Sequence, residues 1–140
     1  GIIIVLLDGE RRWTMIVIDV NGEHPTLSRE EIFEVFFWGI SELMPRKQNL
    51  EVTIDILDLS EDDVTGYHSY SDHHLIELDV HQSESDFITA LFHELVHVRQ
   101  TERGMCFDDE TPYYERRTEI EAYHLQEELY TKWKSSLQLH

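Results

Sequence analysis

Cysteine is nearly absent: Cys106 is the only one among 140 residues. No disulfide can close within the chain, and Cys106 has no Cys or His at zinc-finger spacing, so it reads as an inert thiol. Basic residues are scarce as well. Eleven Lys and Arg stand against 29 Asp and Glu, for a net charge of −18. Such a chain repels phosphates, which argues against nucleic acid as a partner. The acidic surface serves solvation or meets a basic partner or peptide, with mimicry of a nucleic acid as the remaining use of so much negative charge. Long apolar runs are missing too. The longest, Ile2–Leu7, stops at Asp8; it is too short to cross a membrane and lacks the basic flank and cleavage site of a signal peptide. A cytoplasmic protein without a membrane partner is expected, and a lone cysteine suits a reducing compartment. Three prolines and six glycines build no linker, and no repeat or low-complexity run appears. Residues 1–140 therefore read as a single domain, long enough to bury a core. A hydrophobic content of 41% makes that domain globular rather than disordered.

What is present divides into a strand-rich first half and a helical second half. Residues 2–7 form a continuous apolar run, as in a strand buried on both faces, and Asp8-Gly9 follows as a turn. Residues 13–20 are a second strand, with Ile16, Ile18 and Val20 on one face. Ser28-Arg29-Glu30-Glu31 is a capping box that opens a helix through Ile32, Val35, Phe36, Ile40 and Leu43, closed by Pro45. Val52, Ile54 and Ile56 alternate with polar residues in a third strand. Residues 58–72 are polar and acidic and read as a loop. Residues 74–80 alternate again, with Ile76, Leu78 and Val80 on one side. Ser83 and Ser85 then offer N-caps to a helix carrying Phe87, Leu91, Leu95 and Val98, with Arg99 and Arg103 in its last turn and Gly104 as its stop. Thr118, with Glu121 three residues on, caps a final helix whose apolar face is Ala122, Leu125, Leu129 and Trp133. The order predicts an α+β fold: a small mixed sheet, an N-terminal helix, a central helix and a C-terminal helix.

The chemistry concentrates in "ALFHELVHVRQ". His93 and His97 stand four apart on a helix, hence on one face, and can offer two imidazole nitrogens to a single ion. Catalytic zinc takes three protein ligands, keeps one position for water and lowers the pKa of that water to about 7. Glu94 follows the first histidine and is placed to take the water's proton and pass it to a leaving amine. A third ligand is available downstream in "TEIEAYHLQ", where Glu119, Glu121 and His124 all compete. Glu119 and Glu121 point to different sides of the helix, and Ala122, Leu125 and Leu129 do not decide between them.

His93-Glu94-x-x-His97 followed by a later helix bearing Glu121-Ala122 resembles the zincin metallopeptidases of the glutamate-ligand type, in particular the minimal zincins of phages and bacteria. The resemblance spans residues 75–129, and residues 1–60 carry no motif of that family. It implies a zinc-dependent metallopeptidase that hydrolyses peptide or protein substrates. His93, His97 and Glu121 would hold Zn2+, Glu94 would act as general base, and the small Ala122 would let the two helices approach closely. It also implies that the strand at residues 74–80 is an edge strand that pairs with an extended substrate. An oxyanion donor is sought among Tyr113, Tyr114, Arg116 and Arg117. Arg99 stands where many zincins have an apolar residue, and is expected to face solvent.

Two other readings compete. Glu94-x-x-His97 and Glu121-x-x-His124 match the paired Glu-x-x-His motifs of di-iron carboxylate bundles, although that fold needs four long helices and gives His93 no task. The chain could also be a non-catalytic acidic binding module on the same fold. Glu94 argues against a purely structural zinc site, which closes all four positions and has no use for a carboxylate beside them.

Overall fold

The structure, a computed structural model, describes residues 2–7, 13–105 and 116–138, with side chains from Met15 onward. Strand β1 spans Ile2–Leu7 and β2 spans Trp13–Asn21. They pair antiparallel, Ile4 opposite Ile16. The expected double-sided burial of residues 2–7 and the turn at Asp8-Gly9 lie outside the described residues, as does Cys106. Helix α1, Arg29–Leu43, starts from the capping box read in the sequence: the Ser28 hydroxyl accepts from the Glu31 N–H, and the Glu31 side chain reaches back to the Ser28 N–H. It delivers the chain to β3, Asn49–Leu57, which runs parallel to β2. A short 3-10 turn at Ser60–Asp62 precedes β4, Gly66–Tyr70, and β5, His74–Asp79. Strand β5 lies parallel to β3 and antiparallel to β4, so the sheet order is β1-β2-β3-β5-β4. The fold is α+β, as expected.

Two expectations about this sheet are corrected. Residues 58–72 are not all loop, because β4 lies within them. That strand buries none of its five residues fully, so it has no apolar alternation by which to be recognised. In consequence the strand at residues 74–80 is not an edge. β5 is hydrogen-bonded on both sides, and β4 is the outer strand.

Helices cover one face of the sheet. Ile16, Ile18, Val20, Val52, Ile54, Ile56, Ile76 and Leu78 point into a single core, while their strand neighbours Val17, Thr53, Asp55 and Glu77 stay partly exposed. The period-two pattern thus places the core on one side, as sheet geometry requires. Helix α2, Glu84–Glu102, is capped by Ser83, whose hydroxyl accepts from the Asp86 N–H. It packs between the sheet and α1, with Phe92 and Trp38 rings 5.5 Å apart. Its end is a Schellman motif: the Met105 N–H bonds the Gln100 carbonyl, the Gly104 N–H bonds the Thr101 carbonyl, and Gly104 takes φ +71°, which a side chain would resist. Helix α3, Arg117–Leu137, packs along α2 and starts from Arg116, not from Thr118. Thr118 is already inside the first turn and buried. Among the described residues no helix is long and apolar enough to cross a membrane.

Candidate metal centre

Helix α2 is so deeply set that residues 90–98 are all buried. That forces polar side chains within this stretch to find partners inside the protein. His93, Glu94 and His97 are the ones concerned. His93 and His97 lie one turn apart with ring centroids 4.9 Å from each other, and both rings turn toward α3. There they meet Glu119. His97 Nε2 lies 2.7 Å from Glu119 Oε1, and His93 Nε2 lies 3.1 Å from Glu119 Oε2. All three residues are buried, and their ligand atoms lie within 4.8 Å of one another.

The outer ring nitrogens decide what the inner ones present. The Gln100 amide nitrogen donates to the Thr118 carbonyl at 2.9 Å and to Glu121 Oε1 at 3.0 Å. Its oxygen must therefore face His97 Nδ1, 2.7 Å away, and that nitrogen carries the proton. Gln126 repeats the arrangement: its amide nitrogen donates to Glu127 and its oxygen sits 2.7 Å from His93 Nδ1. Both histidines thus turn an Nε2 lone pair toward a carboxylate. Acceptors facing acceptors need a cation among them, either a proton or a metal ion. Two imidazole nitrogens, each held by a glutamine behind it, and a carboxylate are the donor set of an open three-ligand zinc site. The residues fit such an ion. With a proton in that role, Glu119 is the strongly favoured anion. Burial alone would raise its pKa, but the hydrogen bonds from His93 and His97 outweigh this and hold it far below the carboxylate range. For His97, burial pulls the pKa down, yet the bond to Glu119 and the charge of Glu94 more than offset it and the net shift is upward.

Glu119 occupies the place that the sequence reading assigned to Glu121. The Glu121 carboxylate is turned aside, accepting from Gln100 and lying 3.7 Å from Arg99. Arg99 is accordingly half-buried beside α3, not solvent-facing as expected. His124 is exposed and pairs with Glu128 on the surface, so Glu121 and His124 do not join Glu94 and His97 as a di-iron arrangement would need. The rotation of α3 explains the difference. Glu119, Ala122 and Gln126 follow i, i+3, i+7 spacing and form one face toward α2. Ala122, fully buried, is the small residue at the helix contact, but it serves Glu119 one turn earlier.

Glu94 stands beside the cluster without belonging to it. Its carboxylate abuts the outer strand: a Cβ on Gly66 would come within 3.4 Å of Glu94 Oε2. Burial pushes its pKa up to about 7, a rise that Glu119 reinforces and the two histidines oppose. Two cavities meet at this point. One, of about 760 Å³, holds His93 and Glu94 and extends past Asp86, Tyr123 and Gln126. The other, of about 650 Å³, holds Glu94, His97 and Glu119 together with His68 and Arg116. Val64 and Gly66 line both, so a groove follows β4 past the cluster. Of the oxyanion candidates, Arg116 lines this groove, Arg117 is exposed, and Tyr113 and Tyr114 lie outside the described residues. Gln100 and Gln126 were not anticipated. Gln100 was open to detection, three residues after His97 on the same helix face; Gln126 is recognisable only once Glu119 is known. Compared with known proteins, the chain matches no family model and no curated protein.

Proposed function

We propose that the protein is a zinc-dependent metallopeptidase. The observation that carries this reading is the buried convergence of His93, His97 and Glu119 with a separate buried carboxylate, Glu94, at the same cavity wall. His93, His97 and Glu119 would hold one Zn2+, which when bound supplies a Lewis acid and makes hydroxide available near neutral pH. Glu94 takes the proton of the attacking water and returns it to the nitrogen of the leaving amine as the C–N bond breaks. Burial raises the pKa of this carboxyl group, which favours its holding the proton between the two halves of that transfer. Arg116, in the same cavity, is placed to receive the substrate carbonyl oxygen. Among the described residues no further strand pairs with the outer edge of β4, and backbone pairing of an extended peptide there would supply affinity with little demand on sequence. A cytoplasmic setting belongs to the same proposal.

Elemental analysis of purified protein is expected to find about one zinc per chain, the occupancy of a single three-ligand site. Iron in pairs, or no metal after zinc reconstitution, sinks the reading. Glu94→Gln is expected to keep zinc and to lose peptide hydrolysis by on the order of 10²-fold or more, the scale of general-base removal. Equal turnover of a peptide library by variant and parent contradicts the mechanism. Zinc retained with no turnover by the parent leaves the acidic binding module.

A further inference from the structure

A second hydrogen-bonded chain starts at the same cavity and leads away from the cluster. His68, on β4, stacks on His97 with centroids 6.2 Å apart and an interplanar angle of 26°. Its Nε2 lies 2.9 Å from His74 Nδ1. His74 Nε2 lies 2.8 Å from Glu102 Oε2, and Glu102 Oε1 is ion-paired with Lys47. His74 is only 1% exposed, so these contacts are the whole environment of its ring nitrogens. At the far end, His74 and Glu102 line a third cavity of about 260 Å³.

The far end sets the direction of every proton in the chain. Burial would raise the pKa of Glu102, but the bonds from Lys47 and His74 outweigh it and keep the group a carboxylate. A carboxylate only accepts, so His74 donates from Nε2. Burial keeps His74 below the ordinary imidazole range, with Glu102 opposing only in part. A neutral His74 that donates from Nε2 has a lone pair on Nδ1, and His68 must donate to it from its own Nε2. No carboxylate is hydrogen-bonded to His68 among the described residues to hold a second proton on it, and its neighbours are the imidazoles of His74 and His97, so its ring is neutral as well. Its remaining nitrogen, Nδ1, is therefore an acceptor. It has no hydrogen-bond partner among the described residues, and the residue lines the cavity that holds Glu94, His97 and Arg116.

We infer that His68 Nδ1 is the hydrogen-bond acceptor for the N–H of the scissile peptide bond, and that His74 and Glu102 are positioning residues that hold His68 in the accepting tautomer. The inference rests on the peptidase reading for the identity of the ligand. The main chain of a peptide has N–H as its only donor. Arg116 only donates, and Glu94 is engaged with the proton of the attacking water. His68 Nδ1 is then an acceptor of fixed direction on this wall, unlike the rotatable hydroxyls beside it, at the middle of the strand along which the peptide lies. Holding the N–H on His68 turns the nitrogen's developing lone pair away from that side, toward the proton on Glu94, as the C–N bond breaks.

Two measurements test this separately. The first is ring ¹⁵N NMR of the metal-free protein, with His68→Gln and His74→Gln used to assign the signals. The parent is expected to show His68 protonated on Nε2 and bare on Nδ1. In Glu102→Gln, Lys47 holds the new amide oxygen, so the amide nitrogen faces His74 and donates to it. The chain then reverses and His68 becomes protonated on Nδ1. Nδ1–H in the parent, or the same tautomer in both proteins, overturns the positioning role. The second is cleavage of a peptide drawn from a library and of its ester analogue, which lacks the scissile N–H. His68→Ala and Glu102→Gln are expected to lower kcat/KM for the peptide by about tenfold, the scale of one hydrogen bond, and to leave the ester nearly unchanged. Equal losses on both substrates overturn the N–H assignment. No turnover of either substrate by the parent overturns the peptidase reading and the substrate role of His68 with it, while the NMR result still decides the tautomer chain.

Discussion

Helices α2 and α3 both supply the cluster, yet they are held in the fold in different ways. α2 buries twelve of its 19 residues, including every one from 90 to 98. α3 is longer, at 21 residues, and buries only Thr118, Glu119, Ala122 and Leu129. Apolar contact on nearly all sides fixes the position of α2, and the two histidines travel with it at a separation set by helix geometry alone. α3 buries two polar and two apolar residues fully, and Leu125, Tyr130 and Trp133 pack against the core only in part. Its rotation is shared between this apolar packing, with Trp133 against Trp38, and what Thr118, Glu119 and Gln126 bond to, so the polar contacts that make the site also help orient the helix that carries them.

This contrast can be broken most strongly from the α2 side. Leu95 is completely buried, and Leu95→Ala is expected to cost about 2–5 kcal/mol of folding stability in denaturant titration, the usual scale for such a truncation. A loss below about 1 kcal/mol would show that α2 is not the rigid member of the pair. Next comes the third ligand. Glu119→Ala is expected to weaken zinc by more than about 100-fold in chelator competition, beyond the 10–100-fold range of groups that act through a ligand. Glu121→Ala should stay inside that range, since Glu121 reaches the site only through Gln100. The reverse order would restore Glu121 as the ligand.

Glu94 offers a sharper test on the metal-free protein. Its folded pKa is near 7 against an ordinary 4.5, so the folded state holds a proton that the unfolded chain releases. That stabilisation is complete below about pH 4.5 and is lost as pH rises through 7, a change of roughly 1–3 kcal/mol. Denaturation midpoints of the parent are expected to fall across this window, and those of Glu94→Gln to fall less; parallel curves would remove Glu94 as the cause. Gln100→Ala and Gln126→Ala follow, each expected to cost about 10–100-fold in zinc affinity because the histidine behind it loses its fixed tautomer. Unchanged affinity in both would show that the rings are held by packing alone. The smallest effect belongs to the open side of α3. Ile120 is 55% exposed, and Ile120→Ala is expected to stay within about 0.5 kcal/mol of the parent in thermal unfolding. A larger loss would reveal a contact on the face of α3 that points away from α2.

The ease with which each part was read follows the same division. The capping box at Ser28, the N-cap at Ser83 and the glycine stop at Gly104 depend on neighbours within a few residues, and all three formed as expected. The strands at residues 13–20 and 74–80 showed themselves through alternation, because one face of each is buried in the core. β4 did not, since its five residues lean on β5 by backbone pairing and bury no apolar set. Missing it also displaced the expected sheet edge by one strand. Glu119 was passed over for Glu121 because the resemblance favours a ligand glutamate followed directly by a small residue, as in Glu121-Ala122, and apolar periodicity did not decide between them; the buried face of α3 is made partly of polar residues whose partners lie on another helix.

Sequence by itself determined the local matters: an α+β order of elements, the ends of α1 and α2, and two histidines with an intervening glutamate on one helical face. These depend on covalent spacing and on periods of 3.6 and 2, which the chain carries wherever it goes. The tertiary structure decided which glutamate faces that pair, which strand forms the edge, and how His68 is tied through His74 to Glu102. Each of these joins residues far apart in the chain, from six positions between His68 and His74 to 28 between His74 and Glu102. Such pairings exist only after the sheet and helices have packed, because the burial that makes an unpaired polar group costly is itself a product of that packing.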